Sequence, residues 1–196
     1  MATRQVVRPG RATQILRDLI AIESVNPYFP GGERGEVEVG RYLADFFTRL
    51  GLAAAQQEVL PGRWNVFTRL GSEEAGRRVL LFETHMDTVT LEPVGQAMLE
   101  PSERDGYLHG RGACDDKASL AAMLAALEAL VARASELRVD VVVLGSVDEE
   151  YLMRGIAEFA NSGPRIDAAV VGEPTSLQVV RAHKGLIRWR LMTEGR

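Results

Sequence analysis

The sequence predicts an α/β fold of three layers, a mostly parallel twisted sheet with helices on both faces, on three observations. The runs Val79-Leu80-Leu81-Phe82 and Val141-Val142-Val143-Leu144 are apolar without alternation, as strands covered on both faces are. Segments with apolar residues at helical spacing separate the strand-like runs, the order expected of βαβ units. The 196 residues are 46% hydrophobic and 26% charged, which supplies a packed core and excludes a disordered or fibrous chain.

Element by element, Arg11 to Ile22 carries Ile15, Leu16, Leu19, Ile20 and Ile22 on one helical stripe. Glu36 to Leu50 repeats the pattern with Val39, Leu43, Phe46 and Phe47 and stops at Gly51. Between them Asn26-Pro27-Tyr28-Phe29-Pro30-Gly31-Gly32 reads as a loop, because two prolines and paired glycines break either regular element. Strands are expected over Trp64–Leu70, Arg78–Thr84, Val139–Val147 and Ala168–Val171. Helices are expected over Asp116–Ser135 and Tyr151–Asn161. From Leu177 to Thr193 the texture turns alternating, which predicts a further strand.

Bulk properties exclude several function classes. A net charge of −4 gives no basic footprint for nucleic acid or an anionic membrane. The longest apolar-rich stretch, Leu120 to Ala132, is broken by Glu128 and is shorter than the ~20 residues of a membrane span. Met1 to Gly10 has no apolar core of a secretory signal and reads as a frayed terminus. A single cysteine, Cys114, excludes an intrachain disulfide and points to a reducing, cytoplasmic setting. It is expected to be a small buried residue beside a ligand, since a nucleophile would need a histidine base.

In open α/β sheets the ligand site lies outside the carboxyl ends of the strands. Those ends are acidic here: Thr84-His85-Met86-Asp87, Ser146-Val147-Asp148-Glu149-Glu150, and Gly172-Glu173-Pro174. A further pair, Asp115-Asp116, opens a long helix, where either residue can also serve as the N-cap. Several carboxylates gathered at one sheet end repel and are costly to desolvate unless a cation sits among them. One imidazole with carboxylate oxygens suits zinc. In His85-Met86-Asp87 the aspartate can accept the proton of the imidazole's other nitrogen and fix the ring. Adjacent Glu149 and Glu150 point apart on an extended backbone, so one can bind metal while the other acts as base.

In order and spacing, these segments and Gly110-Arg111-Gly112-Ala113-Cys114-Asp115-Asp116-Lys117 resemble the zinc-dependent amidohydrolases and exopeptidases. That family includes acetylornithine deacetylase, succinyl-diaminopimelate desuccinylase, aminoacylase and carboxypeptidase G. The resemblance implies that His85, Asp115 and Glu173 bind a first Zn2+, with Asp115 bridging to a second held by Glu150. It implies that Asp87 orients His85 and that Glu149 is the general base and acid. Co2+ or Mn2+ would be possible substitutes. The implied substrate is a small N-acyl amino acid or a dipeptide-like amide, with neither nucleic acid nor membrane as partner. Residues 1–176 would be the N-terminal part of the catalytic domain, and residues 177–196 its last strand and the entry to a dimerisation or lid domain. The full-length protein would be a homodimer, with the second zinc's histidine beyond Arg196. Ala118 departs from the glycine usual in the family, and His109 and His183 match no metal position in it. A catalytically incomplete metal-binding half is the alternative these departures leave open.

Overall fold

The fold is described from a computed structural model covering residues 7–8, 10–72, 76–187 and 189–195. The expectation for the terminus before Gly10 therefore falls largely outside the described residues, as does Arg188 of the predicted last strand.

Among the described residues the α-helices are α1 (Arg11–Ile20), α2 (Val37–Arg49), α3 (Lys117–Val131) and α4 (Arg154–Ser162). The strands among the described residues are β1 (Ala55–Leu60), β2 (Arg63–Leu70), β3 (Val79–His85), β4 (Ser102–Arg104), β5 (Tyr107–His109), β6 (Asp140–Ser146) and β7 (Ala168–Val171). Five strands build the main sheet in the order β1-β2-β6-β3-β7, and β4 and β5 make a separate hairpin. The pairs β3–β6 and β3–β7 are parallel, whereas β1–β2 and β2–β6 are antiparallel. The predicted mostly parallel sheet is thus mixed, parallel at its centre and antiparallel toward β1. The antiparallel part arises because β1 and β2 join through a tight turn at Pro61-Gly62, too short for a crossover.

Alternate residues of β6 face opposite layers. Val141 and Val143 join the core formed with Ile15, Leu19, Leu43, Phe47, Leu120 and Leu124 from α1, α2 and α3. Val142 and Leu144 pack instead with Val79, Leu81 and Phe159 of α4. Every residue of β6 is buried, which is why its sequence shows no alternation. The chain leaves β3 for β6 through α3 on one face and leaves β6 for β7 through α4 on the other. The carboxyl end of β3 is therefore the topological switch point, where open α/β sheets bind ligands.

Lys117 ties this layer together from inside. Its ammonium, pushed down to about 7 by burial, donates to the carbonyls of Leu19 (2.9 Å) and Ile22 (2.7 Å) at the end of α1. It thereby meets the negative end of that helix.

At the opposite end of the sheet the fully buried Asp140 opens β6. It accepts from Arg69 at 2.6 and 3.0 Å and from Arg77 at 2.7 Å. Gly71 leaves the room, since a Cβ there would lie 2.1 Å from the Asp140 carboxylate. Burial acts to raise this carboxyl, but the two guanidiniums outweigh it and hold it below the usual value. Its stabilisation is present above the ordinary carboxyl pKa and is lost as pH falls through the lowered one. Asp140→Asn is expected to cost about 2 kcal/mol in urea unfolding at pH 7, less than a wholly buried pair because both arginines reach solvent. The gap between the two proteins should narrow in acid.

Three features differ from the sequence expectation. The strand β1 went unread because Ala55-Gln56-Gln57-Glu58 looks like a polar loop; it is an edge strand paired with β2 on one side. The β4–β5 hairpin was likewise not expected, being two three-residue strands that are largely exposed. The alternating segment from Leu177 forms no strand among the described residues. Its apolar side chains, Leu177, Val179, Ile187 and Trp189 among them, are exposed, and a strand without a neighbour has no ladder to close. Among the described residues no helix is long and apolar enough to cross a membrane.

Candidate metal centre

The switch point gathers the acidic strand ends. His85 closes β3 opposite Ser146 of β6, and the backbone pairing continues one step as Met86 N–H donates to the Ser146 carbonyl. The turn Asp148-Glu149-Glu150 follows directly, with Asp148 in the left-handed region at φ 67°. On the other side of β3, Gly172 N–H donates to the Glu83 carbonyl and delivers Glu173 beside His85. A Cβ on Gly172 would come within 2.5 Å of the Ser119 side chain, so glycine is what lets this strand end approach the start of α3. Asp115 arrives from the residues leading into α3, and the Asp115–Asp116 peptide is cis.

His85 is 2% exposed, with Nε2 directed at a cluster of carboxylates. Asp115 Oδ1 lies 3.0 Å from it, Glu173 Oε1 3.9 Å and Glu149 Oε2 4.0 Å. Ligand atoms of His85, Asp115 and Glu173 all fall within 4.8 Å of one another. Zinc bound tetrahedrally at about 2.0–2.2 Å sets its donors roughly 3.3–3.6 Å apart. The spacings here bracket that range, and the donor set of one imidazole and two carboxylates suits zinc. Glu150 stands outside this trio but within the same field, since burial raises its carboxyl, the charge of His85 lowers it, and Asp115, Asp87 and Glu149 raise it further.

The electrostatics follow from gathering carboxylates around one buried imidazole. Burial opposes charge on His85, but Asp115, Asp87 and Asp116 overcome it and push the imidazole up to about 12. Burial, followed by repulsion from neighbouring carboxylates, lifts Glu150 and Glu173 to about 7 each. Glu83 and Asp116 are likewise raised, chiefly by burial. Burial and mutual repulsion thus favour the protonated forms of these carboxyls. For His85, Glu150 and Glu173 the folded pKa exceeds the unfolded one, so their stabilising contribution is present at low pH and lost as pH rises. The metal-free protein is expected to lose thermal stability as pH climbs from the ordinary carboxyl value of 4.5 to about 7. Excess zinc should reverse that slope, because metal displaces these protons. Melting curves at matched ionic strength, with zinc and with chelator, check the sign.

Asp87 does more than the sequence suggested, and differently. The His85 Nδ1 bond, 2.9 Å long, goes to the backbone carbonyl of Asp87, while the Asp87 carboxylate is 3.6 Å away. The carboxylate is committed elsewhere: Oδ1 accepts from Glu149 N–H at 3.1 Å, and Oδ2 from Glu150 N–H at 3.0 Å and Asn26 Nδ2 at 2.6 Å. One residue thus holds the imidazole by its main chain and the Glu149-Glu150 turn by its side chain. Cys114 is exposed rather than buried.

Sequence reading missed the residues that support the turn. Buried Asp148 accepts from Arg154 Nε (2.6 Å), Arg63 (3.2 Å) and Asn26 (3.2 Å). Its own N–H donates to Glu36, which is paired in turn with Arg63. Apart from Arg154, these partners lie 85 to 122 positions from Asp148 in sequence, so no local motif marks them. The one available signal was an Asn-Pro loop beside two helices.

Residues 81–185 match the family model described as Peptidase family M20/M25/M40. The chain belongs to this family. Solved structures of similar fold include the M20 family metallo-carboxypeptidase Sso-CP2 from Sulfolobus solfataricus, at 24% identity and a TM-score of 0.65, covering 82% of this chain and 36% of that one. Human carnosine dipeptidase 1 aligns at 24% identity and TM-score 0.68, over 82% of this chain and 38% of that one. A tripeptidase from Staphylococcus aureus aligns at 22% and 0.65, over 85% and 43%. The chain spans about two fifths of the length of these structures. At these identities the likeness is one of fold, and it agrees with the three-layer α/β reading.

Proposed function

We propose that this M20 chain carries the metal centre of a hydrolase that cleaves small linear amides, N-acyl amino acids or dipeptide-like substrates. The observation that carries the reading is the convergence of Asp115, Glu173 and Glu149 on Nε2 of a buried His85. In this reading His85, Asp115 and Glu173 would hold zinc, Glu150 with Asp115 would hold a second ion, and Glu149 would be the base. Bound zinc would supply Lewis acidity toward the amide carbonyl and the attacking water. The Glu149 carboxylate takes a proton from that water and returns it to the leaving nitrogen. Asp87 keeps Glu149 and Glu150 at fixed height by accepting both of their N–H groups. Acetylornithine, succinyl-diaminopimelate and other N-acyl amino acids are the substrates to try first, because the motif segments resemble those deacylases.

The second reading, a metal-binding half that turns over only with complementary sequence, is favoured by the share of the solved relatives that the chain spans. Calorimetric zinc titration together with hydrolysis of N-acetyl amino acids separates the two. Zinc uptake with zinc-dependent turnover supports the enzyme, and uptake without turnover at any zinc concentration supports the half-protein. No uptake at all overturns both.

A further inference from the structure

We infer that Asn26 is a positioning residue that fastens the Asp87 and Asp148 carboxylates together and so sets Glu149 and Glu150 relative to His85. The inference deepens the proposed metal-centre reading and rests on it for its catalytic consequence.

Asn26 is fully buried and uses every side-chain hydrogen-bonding direction that matters here. Its Nδ2 donates to Asp87 Oδ2 at 2.6 Å and to Asp148 Oδ1 at 3.2 Å, while its Oδ1 accepts from Tyr28 N–H at 3.0 Å. Chemistry fixes the orientation of the amide, since turning it over would aim its oxygen at two carboxylates. The backbone holds it equally firmly. Asn26 N–H donates to the Thr88 carbonyl at 2.8 Å, and Thr88 N–H to the Ser24 carbonyl at 2.9 Å, so the loop pairs with the residue after Asp87. The same loop meets the turn again where Tyr28 stacks on Tyr151, ring centroids 3.8 Å apart.

Two buried carboxylates brought to one point repel unless donors lie between them. Asp148 has Arg63 and Arg154 as well, but the named donors to the Asp87 carboxylate are the amide of Asn26 and the two turn N–H groups. Without Asn26, Asp87 turns away from Asp148, and the Glu149 and Glu150 amides lose their acceptor. The His85 Nδ1 bond survives, because it is made to the Asp87 main chain. Loss of Asn26 should therefore disturb the Glu149-Glu150 side of the centre and spare the His85, Asp115 and Glu173 side. A generally loosened fold would disturb both.

The test compares Asn26→Ala and Asn26→Asp with the parent chain, using amide proton resonances of Glu149 and Glu150, zinc calorimetry and turnover of an N-acetyl amino acid. Asn26→Asp keeps the size and the Tyr28 acceptor, and it covers the case in which the alanine variant fails to fold. Thr68→Val, which removes a part-buried hydrogen bond from β2 to the Ala53 carbonyl, serves as the structural comparator. Expected are upfield shifts of both amides, a kcat lowered about tenfold or more with KM little changed, and zinc affinity within about threefold of the parent; supporting partners of metal sites commonly act at the 10–100-fold level. Thr68→Val should move neither amide. Unmoved Glu149 and Glu150 amides in a folded Asn26 variant overturn the inference, as does an equal effect of Thr68→Val. If the parent binds no zinc, the functional reading fails while the amide shifts still decide the role of Asn26.

Discussion

Glu149→Gln is expected to retain zinc and to lower hydrolysis about 10²–10⁴-fold, the usual weight of a positioned general base. The substitution keeps shape and removes only basicity, so it isolates proton transfer from binding. Glu149 Oε2 stands 4.0 Å from His85 Nε2, near enough to serve the same small volume without being the nearest donor to it. Its height is set from behind by the Asp87 carboxylate. The loss should appear in kcat with zinc affinity nearly unchanged, as measured by calorimetry on the same sample. A parallel loss of zinc would instead make Glu149 a ligand and pass the role of base to Glu150.

His85→Ala should lower zinc affinity by more than about 100-fold, beyond the 10–100-fold cost of losing a group that merely supports a ligand. Of the three converging donors His85 is the buried one, with its side chain 1% exposed against 52% for Asp115 and 41% for Glu173. Two half-exposed carboxylates retain water as partners and bind a divalent ion weakly. The variant should stay folded, because the neighbouring core of Met86 and Leu43 does not depend on the imidazole. Its metal-free melting temperature should also respond differently to pH. The parent gains stability from a protonated His85, a contribution lost only as pH rises through about 12, and the variant lacks it.

How much of this was legible in the sequence follows from where each residue's partners lie. His85, Glu149 and Glu173 could be read because chemistry-bearing side chains stood at the ends of apolar runs, and the topology of an open sheet brings those ends together; Asp115 drew notice as one of an acidic pair opening the long helix. The layers were legible for a similar reason: β6 is buried throughout, and its sequence shows it. The strand β1 was not, since an edge strand with glutamines satisfies its backbone on one side and needs no apolar signal. The support of the turn was hidden more deeply. Asn26, Glu36 and Arg63 act through contacts across the whole domain, and each looks like an ordinary polar residue in its own neighbourhood. The Asp87 carboxylate illustrates the limit of spacing arguments. His-x-Asp suggested a side-chain clamp on the ring; the 2.9 Å bond goes to the main-chain carbonyl instead, while the carboxylate keeps an ion pair with the ring at 3.6 Å and accepts from three other donors.

The central claim, a metal ion held by His85, Asp115 and Glu173, is tested most directly by zinc X-ray absorption on the stoichiometrically loaded chain. The account predicts a shell of nitrogen and oxygen at about 2.0–2.2 Å with an imidazole scattering signature that His85→Ala abolishes. A sulfur shell at about 2.3 Å, placing the ion on exposed Cys114, or a spectrum unchanged in His85→Ala would contradict it.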